Sequence, residues 1–381
     1  MCKANIWFLN AGLFVAVFFL TASTAGSQIG KRFPPEKRIV TDPVTGMQLT
    51  FLTSSQSNDY TIRDIHRHWT SDGKWLIFRS QRLPGETLAV NEETGVIVQV
   101  TEGAYMPAMC LTAKSMKMYY LRMVLRQPGQ TRGGPVQVVE VDLVKLFSDS
   151  ETGTLKAENE YQRVCGIIPA GMIFGKGMAL DADEECVYFI LSEEEAAKHL
   201  PAGMAVQYDS LNGQKEAGPS GIGRININTR ETGIVTVVPF AAGNLQSDPV
   251  IPGKLFFSSG TEGGASHNTW TVKSDGSGLR PLNPGEENEF VSRAAGKTIL
   301  QHLSRSTDGR RAAGVDPGGN IYLIDRHSDE MILLSGGHKT KAAGHPYPSF
   351  SPDGTRILIQ SAMLSENSRS MDICIIHLPE E

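Results

Sequence analysis

Three short stretches hold side chains suited to moving protons or gripping an anion. Arg63, Asp64, His66, Arg67 and His68 crowd together in the first. If that stretch is extended, His66 and His68 face one side, because side chains alternate along a strand. Two imidazoles on one face can bind a metal or bracket an anion, and Arg63 or Arg67 can neutralise a carboxylate. As plain structure, the same residues make a solvated basic loop. The second stretch holds His302, three residues before Arg305; its plain reading is a packed imidazole on an inner strand. In the third, His345 and Tyr347 stand two apart, an imidazole and a phenol on one face. The plain alternative there is a corner anchored by the tyrosine. His267, beside Asn268, adds a further imidazole in a glycine-rich stretch. No G-x-S-x-G, phosphate-cradling glycine loop or C-x-x-C occurs, which excludes a serine nucleophile elbow and a zinc knuckle.

These residues need elements to bring them together, and the chain repeats itself. Residues 348–360 (PSFSPDGTRILIQ) match 68–80 (HWTSDGKWLIFRS) and 303–315 (LSRSTDGRRAAGV), each a strand, an Asp-Gly turn and an apolar strand. Weaker copies surround Thr112-Ala113-Lys114, Asp181-Ala182-Asp183 and Pro252-Gly253. A second hairpin type alternates with the first, at Asn91–Gly95, Asn228–Gly233, Lys273–Gly276 and Asp325–Asp329. Two hairpins in series make a four-stranded antiparallel blade, so the fold expected is an all-β propeller with six blades. A sandwich need not alternate two turn types so strictly. The lone hairpin at Asp42–Gly46 is expected to lend its strand to the C-terminal blade and close the ring. Residues 191–221 read as an insertion in the third blade. Loops leading into the innermost strands of a propeller meet at one end of its channel. His66, His302, His345 and Tyr347 all lie at that place in their blades, and so can share one pocket.

Composition narrows the partners. The 381 residues are 40% hydrophobic and 20% charged, ordinary for a globular protein. A formal net charge of −5 leaves no broad basic face for nucleic acid. Lys3, the apolar run Ile6–Leu20 and the small residues Thr21–Gly26 have the layout of a secretory signal peptide. The apolar run is short for a bilayer span, so cleavage rather than anchoring is expected, with residues 27–381 as one domain in a periplasmic or secreted setting. Cys110, Cys165, Cys186 and Cys374 then read as buried thiols, with a Cys165–Cys186 disulfide as the alternative.

The Ser-Pro-Asp-Gly turn at Ser351–Gly354 resembles the repeat of TolB-type periplasmic propellers. A sharper resemblance runs from Gly344-His345-Pro346-Tyr347-Pro348 through Asp353 and Ile357–Ser361 to His377–Glu380: it is similar to the last blade of oligogalacturonate lyases. Gln301–Gly309 resembles the preceding blade of that family and Thr45–Thr53 its N-terminal strand. The resemblance implies a propeller of seven blades and β-elimination at a uronic acid residue. In that reaction a divalent, manganese-type ion grips the carboxylate, a base takes the carbon-5 proton and the glycosidic bond breaks. Of the family's three His and one Gln ligands, two map onto His302 and His345. The others fall on Tyr347 and Ala342, so half of the set is replaced. The family's assisting arginine maps onto Asn268, and the segment between Leu282 and Thr298 is too short for the blade that carries its catalytic histidine.

The expectation is therefore a lyase-like propeller that cleaves acidic, uronate-containing oligosaccharides. Tyr347 and one imidazole (His66, His267 or His302) are candidates for acid and base, and Arg63 or Arg67 for the carboxylate. His302 and His345 are the candidate metal ligands. The alternative is a non-catalytic TolB-like propeller that binds a protein or a glycan. A hydrolase is disfavoured, because no pair of carboxylates stands at the inner loops.

Overall fold

The computed structural model describes residues 28–62, 67–103, 106, 108–124, 134–206, 209–211, 214–249, 251–259, 268–283, 300–328, 330–339 and 344–379. Arg63, His66, His267, Ala342 and the proposed signal peptide lie outside them, as does most of the Leu282–Thr298 segment.

Six antiparallel sheets follow one another along the chain, as the hairpin repeat predicts. Blade 1 comprises Asp59–Thr61, Trp75–Ser80, Thr87–Asn91 and Ile97–Gln99, with Arg32–Phe33 added at its outer edge. Blade 2 comprises Met109–Leu111, Lys117–Met123, Val136–Asp142 and Gln162–Ile168. Ile173–Leu180, Cys186–Leu191, Ser220–Asn226 and Thr232–Val238 form blade 3. Ala242–Ser247, Lys254–Ser259, Thr269–Lys273 and Arg280–Pro281 form blade 4. Blade 5 consists of Gln301–Arg305, Arg311–Val315, Ile321–Asp325 and Met331–Ser335. Blade 6 begins with Ser349–Phe350, Arg356–Ser361 and Asp372–His377. Two strands from the other end of the chain complete it: Gln48–Phe51 pairs with Asp372–His377, and Arg38–Thr41 lies outside that.

The alternation of side chains explains how the blades stack. Met118 and Tyr120 join a core with Ile77, Ala89 and Val98 of blade 1, whereas Tyr119 and Leu121 join one with Met178, Val187 and Phe189 of blade 3. Ile357 and Ile359 likewise pack towards blade 5, and Leu358 towards blade 1. A further core joins blades 3 and 4. Each blade interior is thus apolar on both faces, and the last blade rests on the first.

The inner turns repeat in detail. The backbone N–H of Thr70, Ser306 and Ser351 donates across the turn to Trp75, Arg311 and Arg356. The hydroxyls of the same three residues donate to Asp72, Asp308 and Asp353. Gly73, Gly309 and Gly354 then adopt φ of 70°, 72° and 72°, which is why glycine follows the aspartate.

Two features depart from the sequence reading. A helix, α1 (Leu143–Thr152), replaces the outer hairpin turn of blade 2, capped by Asp142 and ended by Gly153 at φ 72°. All four described cysteines are free thiols, so the Cys165–Cys186 bridge is corrected: Cys165 is buried in the core between blades 2 and 3. Residues 191–221 link the second and third strands of blade 3. They contain α2 (Glu193–His199) and a small hairpin, Asp209–Leu211 with Gln214–Ala217. No helix among the described residues is long and apolar enough to cross a membrane.

Candidate functional site

His302, His345 and Tyr347 meet where the inner strands of blades 5 and 6 run side by side. The His302 and His345 rings lie 4.8 Å apart, tilted by 42°. Tyr347 meets His302 edge-on at 4.3 Å and 74°, and stands 6.1 Å from His345. All three are half-buried.

Two local distortions produce this meeting. In blade 5 the register slips between Gln301, opposite Val315, and Ser304, opposite Ala313. In blade 6 Pro346 accepts a hydrogen bond from Gln360, while Ser349 is already opposite Leu358. Each slip is a β-bulge, which re-aims the side chain at the extra residue. His302 and Tyr347 occupy these bulges at φ 51° and 49°, left-handed conformations that cost a bulky residue about 1–3 kcal/mol. Nothing in the packing of a strand calls for an aromatic ring there.

Gln360, buried on the second strand of blade 6, holds the neighbourhood together. Its amide nitrogen donates to the His345 carbonyl at 2.8 Å, and its oxygen accepts from the Thr61 N–H and hydroxyl at 3.0 and 3.2 Å. Arg79 in turn donates twice to the Thr61 carbonyl. The loop bearing His345 is thereby tied to the inner strand of blade 1.

Electrostatics favour a neutral His345. Burial lowers its pKa, and the nearby His302 lowers it further, because a second cation would be repelled. The ring is thus a free base at neutral pH. Arg67 stands two residues before Trp69, which bridges to Leu76 of blade 1. Arg67 is half-buried, and no carboxylate among the described residues lies within ion-pair distance of it. Burial lowers its pKa, which the more distant charge of Glu184 only partly offsets. His68 is buried, its carbonyl accepting the Ile77 N–H at 2.9 Å. Asn268 is exposed on the loop joining the middle strands of blade 4, and Arg305 is exposed as well.

A manganese-type ion would need several donors converging on one point. Among the described residues no group of three or more His, Cys, Asp or Glu side chains converges. At the cluster only two imidazoles remain of the four donors that the resembled family uses; a phenol stands in place of the third imidazole, and the Ala342 side chain offers no donor in place of the amide. The residues do not fit the ion, and no chemical step is assigned to one.

Fold and cluster together define a β-propeller with an imidazole–phenol group on its inner strands. No protein-family profile matches the chain, and no curated protein matches it. Among solved structures, the chain is similar to an oligogalacturonate lyase in complex with manganese, at 18% identity and a TM-score of 0.69, covering 93% of this chain and 99% of that one. An oligogalacturonate lyase from Vibrio parahaemolyticus matches equally in TM-score and coverage at 16% identity. A putative TolB from Agrobacterium tumefaciens matches at 12% identity, TM-score 0.43, over 85% of this chain and 98% of that one. At these identities the likeness establishes the propeller fold.

The sequence singled out His302, His345 and Tyr347, and the structure places them together. It missed the role of Gln360 and the bulges. Gln360 ends the apolar run Ile357-Leu358-Ile359, and a buried amide after such a run is the signal that marks it.

Proposed function

We propose that the chain is a secreted or periplasmic polysaccharide lyase-like protein that cleaves uronate-containing oligosaccharides by β-elimination. The observation that carries this reading is the His302–His345–Tyr347 cluster, with two of its rings held in strained bulges. Backbone strain of this kind collects where side-chain placement serves chemistry.

The carbon-5 proton of a uronate is only weakly acidic, so its carboxylate has to be neutralised while a base removes the proton. Arg67 supplies the positive charge from blade 1, next to blade 6. A neutral imidazole of the pair takes the proton, and the released electron pair forms the carbon-4 to carbon-5 double bond. The bond from carbon 4 to the glycosidic oxygen breaks, and that oxygen takes a proton from the Tyr347 phenol. Arg63, His66 and His267 remain candidates for the same roles, as their positions in the sequence suggest.

The test is direct. Purified protein is incubated with oligogalacturonate and other uronate oligomers while the absorbance of the conjugated product is followed. H302A, H345A and Y347F are each expected to lower the rate by about two orders of magnitude or more, the usual scale of lost acid–base catalysis. A metal chelator is expected to leave the rate unchanged. Three fully active variants, or a wild type inert on every uronate oligomer, would remove the proposal.

A further inference from the structure

The bulges of blades 5 and 6 have a counterpart in blade 4. There the register slips between Gly243, opposite Ser258, and Gln246, opposite Phe256. Asp248, Ser306 and Ser351 each open the inner turn of their blade, with a backbone N–H donating across it. Counting back four residues from each reaches Asn244, His302 and Tyr347. Their φ values are 47°, 51° and 49°. The other non-glycine residues with positive φ among those described, Glu184, Arg230, Lys339 and Ser368, lie in turns and loops rather than within a strand bulge. The same count in blade 1, from Thr70, reaches His66. In blades 2 and 3 it reaches Ala108 and Gly177, which carry no polar group.

Asn244 therefore shares both the position and the distortion of two residues already placed at the site. It is half-buried, and no side chain or backbone group among the described residues hydrogen-bonds its amide. An inner-strand bulge built only for the fold would be served by glycine, which has no penalty at that φ. An asparagine there carries both an NH2 donor and a carbonyl acceptor on an inner strand, the strand nearest the channel of a propeller. That pairing suits a sugar's vicinal hydroxyls, each of which can both donate and accept. A carboxylate would call for donors alone.

We infer that Asn244 is a substrate-binding residue of the axial site, and that it reads the hydroxyls of a sugar unit next to the one that reacts. This inference rests on the uronate reading above. The reacting unit belongs to blades 5 and 6, where the imidazoles and phenol stand. Asn244, from blade 4, adds specificity for chain length.

Full-length wild type, N244A and N244G are titrated with uronate dimers and trimers by calorimetry, and turnover is measured in parallel. Losing one neutral hydrogen-bonding pair should weaken trimer binding and raise KM about three- to tenfold, with kcat within about twofold. The dimer should be affected less. N244G should show the same loss at an unchanged or higher melting midpoint, because glycine relieves the left-handed backbone. Trimer binding by N244A within twofold of wild type would overturn the assignment while leaving the lyase reading standing. So would a binding loss in both variants that merely follows a lowered melting midpoint. A wild type that binds no uronate oligomer would overturn both proposals.

Discussion

His345 is a base whose readiness depends on its neighbour. Its pKa is lowered first by burial and then by the charge of His302, so the neutral ring persists below the ordinary imidazole value of 6.5. A base of this kind is active above its own pKa. The acid limb of the rate profile is therefore expected below pH 6.5. In H302N the repelling charge is gone while burial remains, so the limb should move up towards 6.5. A limb that stays in place in H302N would show that the two rings do not sense each other, whatever the loss in rate. Tyr347 belongs to the same unit, because its ring edge rests on His302 at 4.3 Å. The repeat pointed to one shared pocket for these residues, but not to these ring contacts. The spacing of His345 and Tyr347 suggested a shared face, but their meeting with His302 depends on two one-residue slips, and no local propensity announces a slip. Histidine and tyrosine at positive φ even run against propensity.

Turn chemistry made most strands easy to place. Asp-Gly and Thr-Gly pairs fix hairpins through the glycine φ and the aspartate acceptor, and the structure follows them blade by blade. The element that escaped, α1, had its own signals. Asp142 accepts from Lys145, Leu143, Leu146 and Phe147 share one face, and Gly153 ends the helix. A short amphipathic helix here fills the gap that an outer hairpin turn fills in other blades. Its apolar face is not decorative. Phe147 stacks on Trp75 of blade 1 at 4.0 Å and 14°, so the helix belongs to the core between blades 1 and 2. Removing that ring should cost about 3 kcal/mol, as for other buried phenylalanines, and loosen Trp75. In F147A the thermal midpoint should fall and the tryptophan signal in near-ultraviolet dichroism should weaken. Unchanged values would mean that α1 only lies against the propeller.

At the scale of the whole molecule, the ends of the chain meet at two polar seams with opposite pH responses. Between blades 6 and 1, Asp59 and Asp372 are buried beside Arg82, which bonds Asp59 at 2.6 Å and Glu36 at 2.7 Å. One guanidinium bonds two of the carboxylates, and Asp372 feels only its more distant charge. Burial, with the charges of Asp59 and Glu36 added, raises the pKa of Asp372 to about 8, and burial raises that of Asp59 too. Between blades 5 and 6, His338 is buried between the hydroxyls of Ser335 and Ser361, at 2.8 and 2.9 Å, with Asp42 bonded to Ser335. Burial lowers the His338 pKa to about 4, against a pull from Asp42. A raised carboxyl stabilises the fold fully below its unfolded pKa and loses that contribution as pH climbs, here from about 4 to about 8. A lowered imidazole does the reverse: its contribution is complete above about 6.5 and is lost as pH falls towards about 4. In the shared window each proton contributes a slope of about 1.4 kcal/mol per pH unit, with opposite signs. Asp42 and Glu36, lowered by hydrogen bonds that outweigh their burial, act below that window. Asp59, raised as well, adds to the decline, so wild-type stability should fall from pH 6.5 to 8 and fall less steeply between 5 and 6.5, where His338 opposes the carboxyls. D372N should lessen the decline above pH 6.5 and shift the slope below it towards a rise. H338Q should decline throughout. Melting midpoints at half-unit steps decide the matter, and a D372N curve parallel to wild type would show that Asp372 is already ionised at neutral pH.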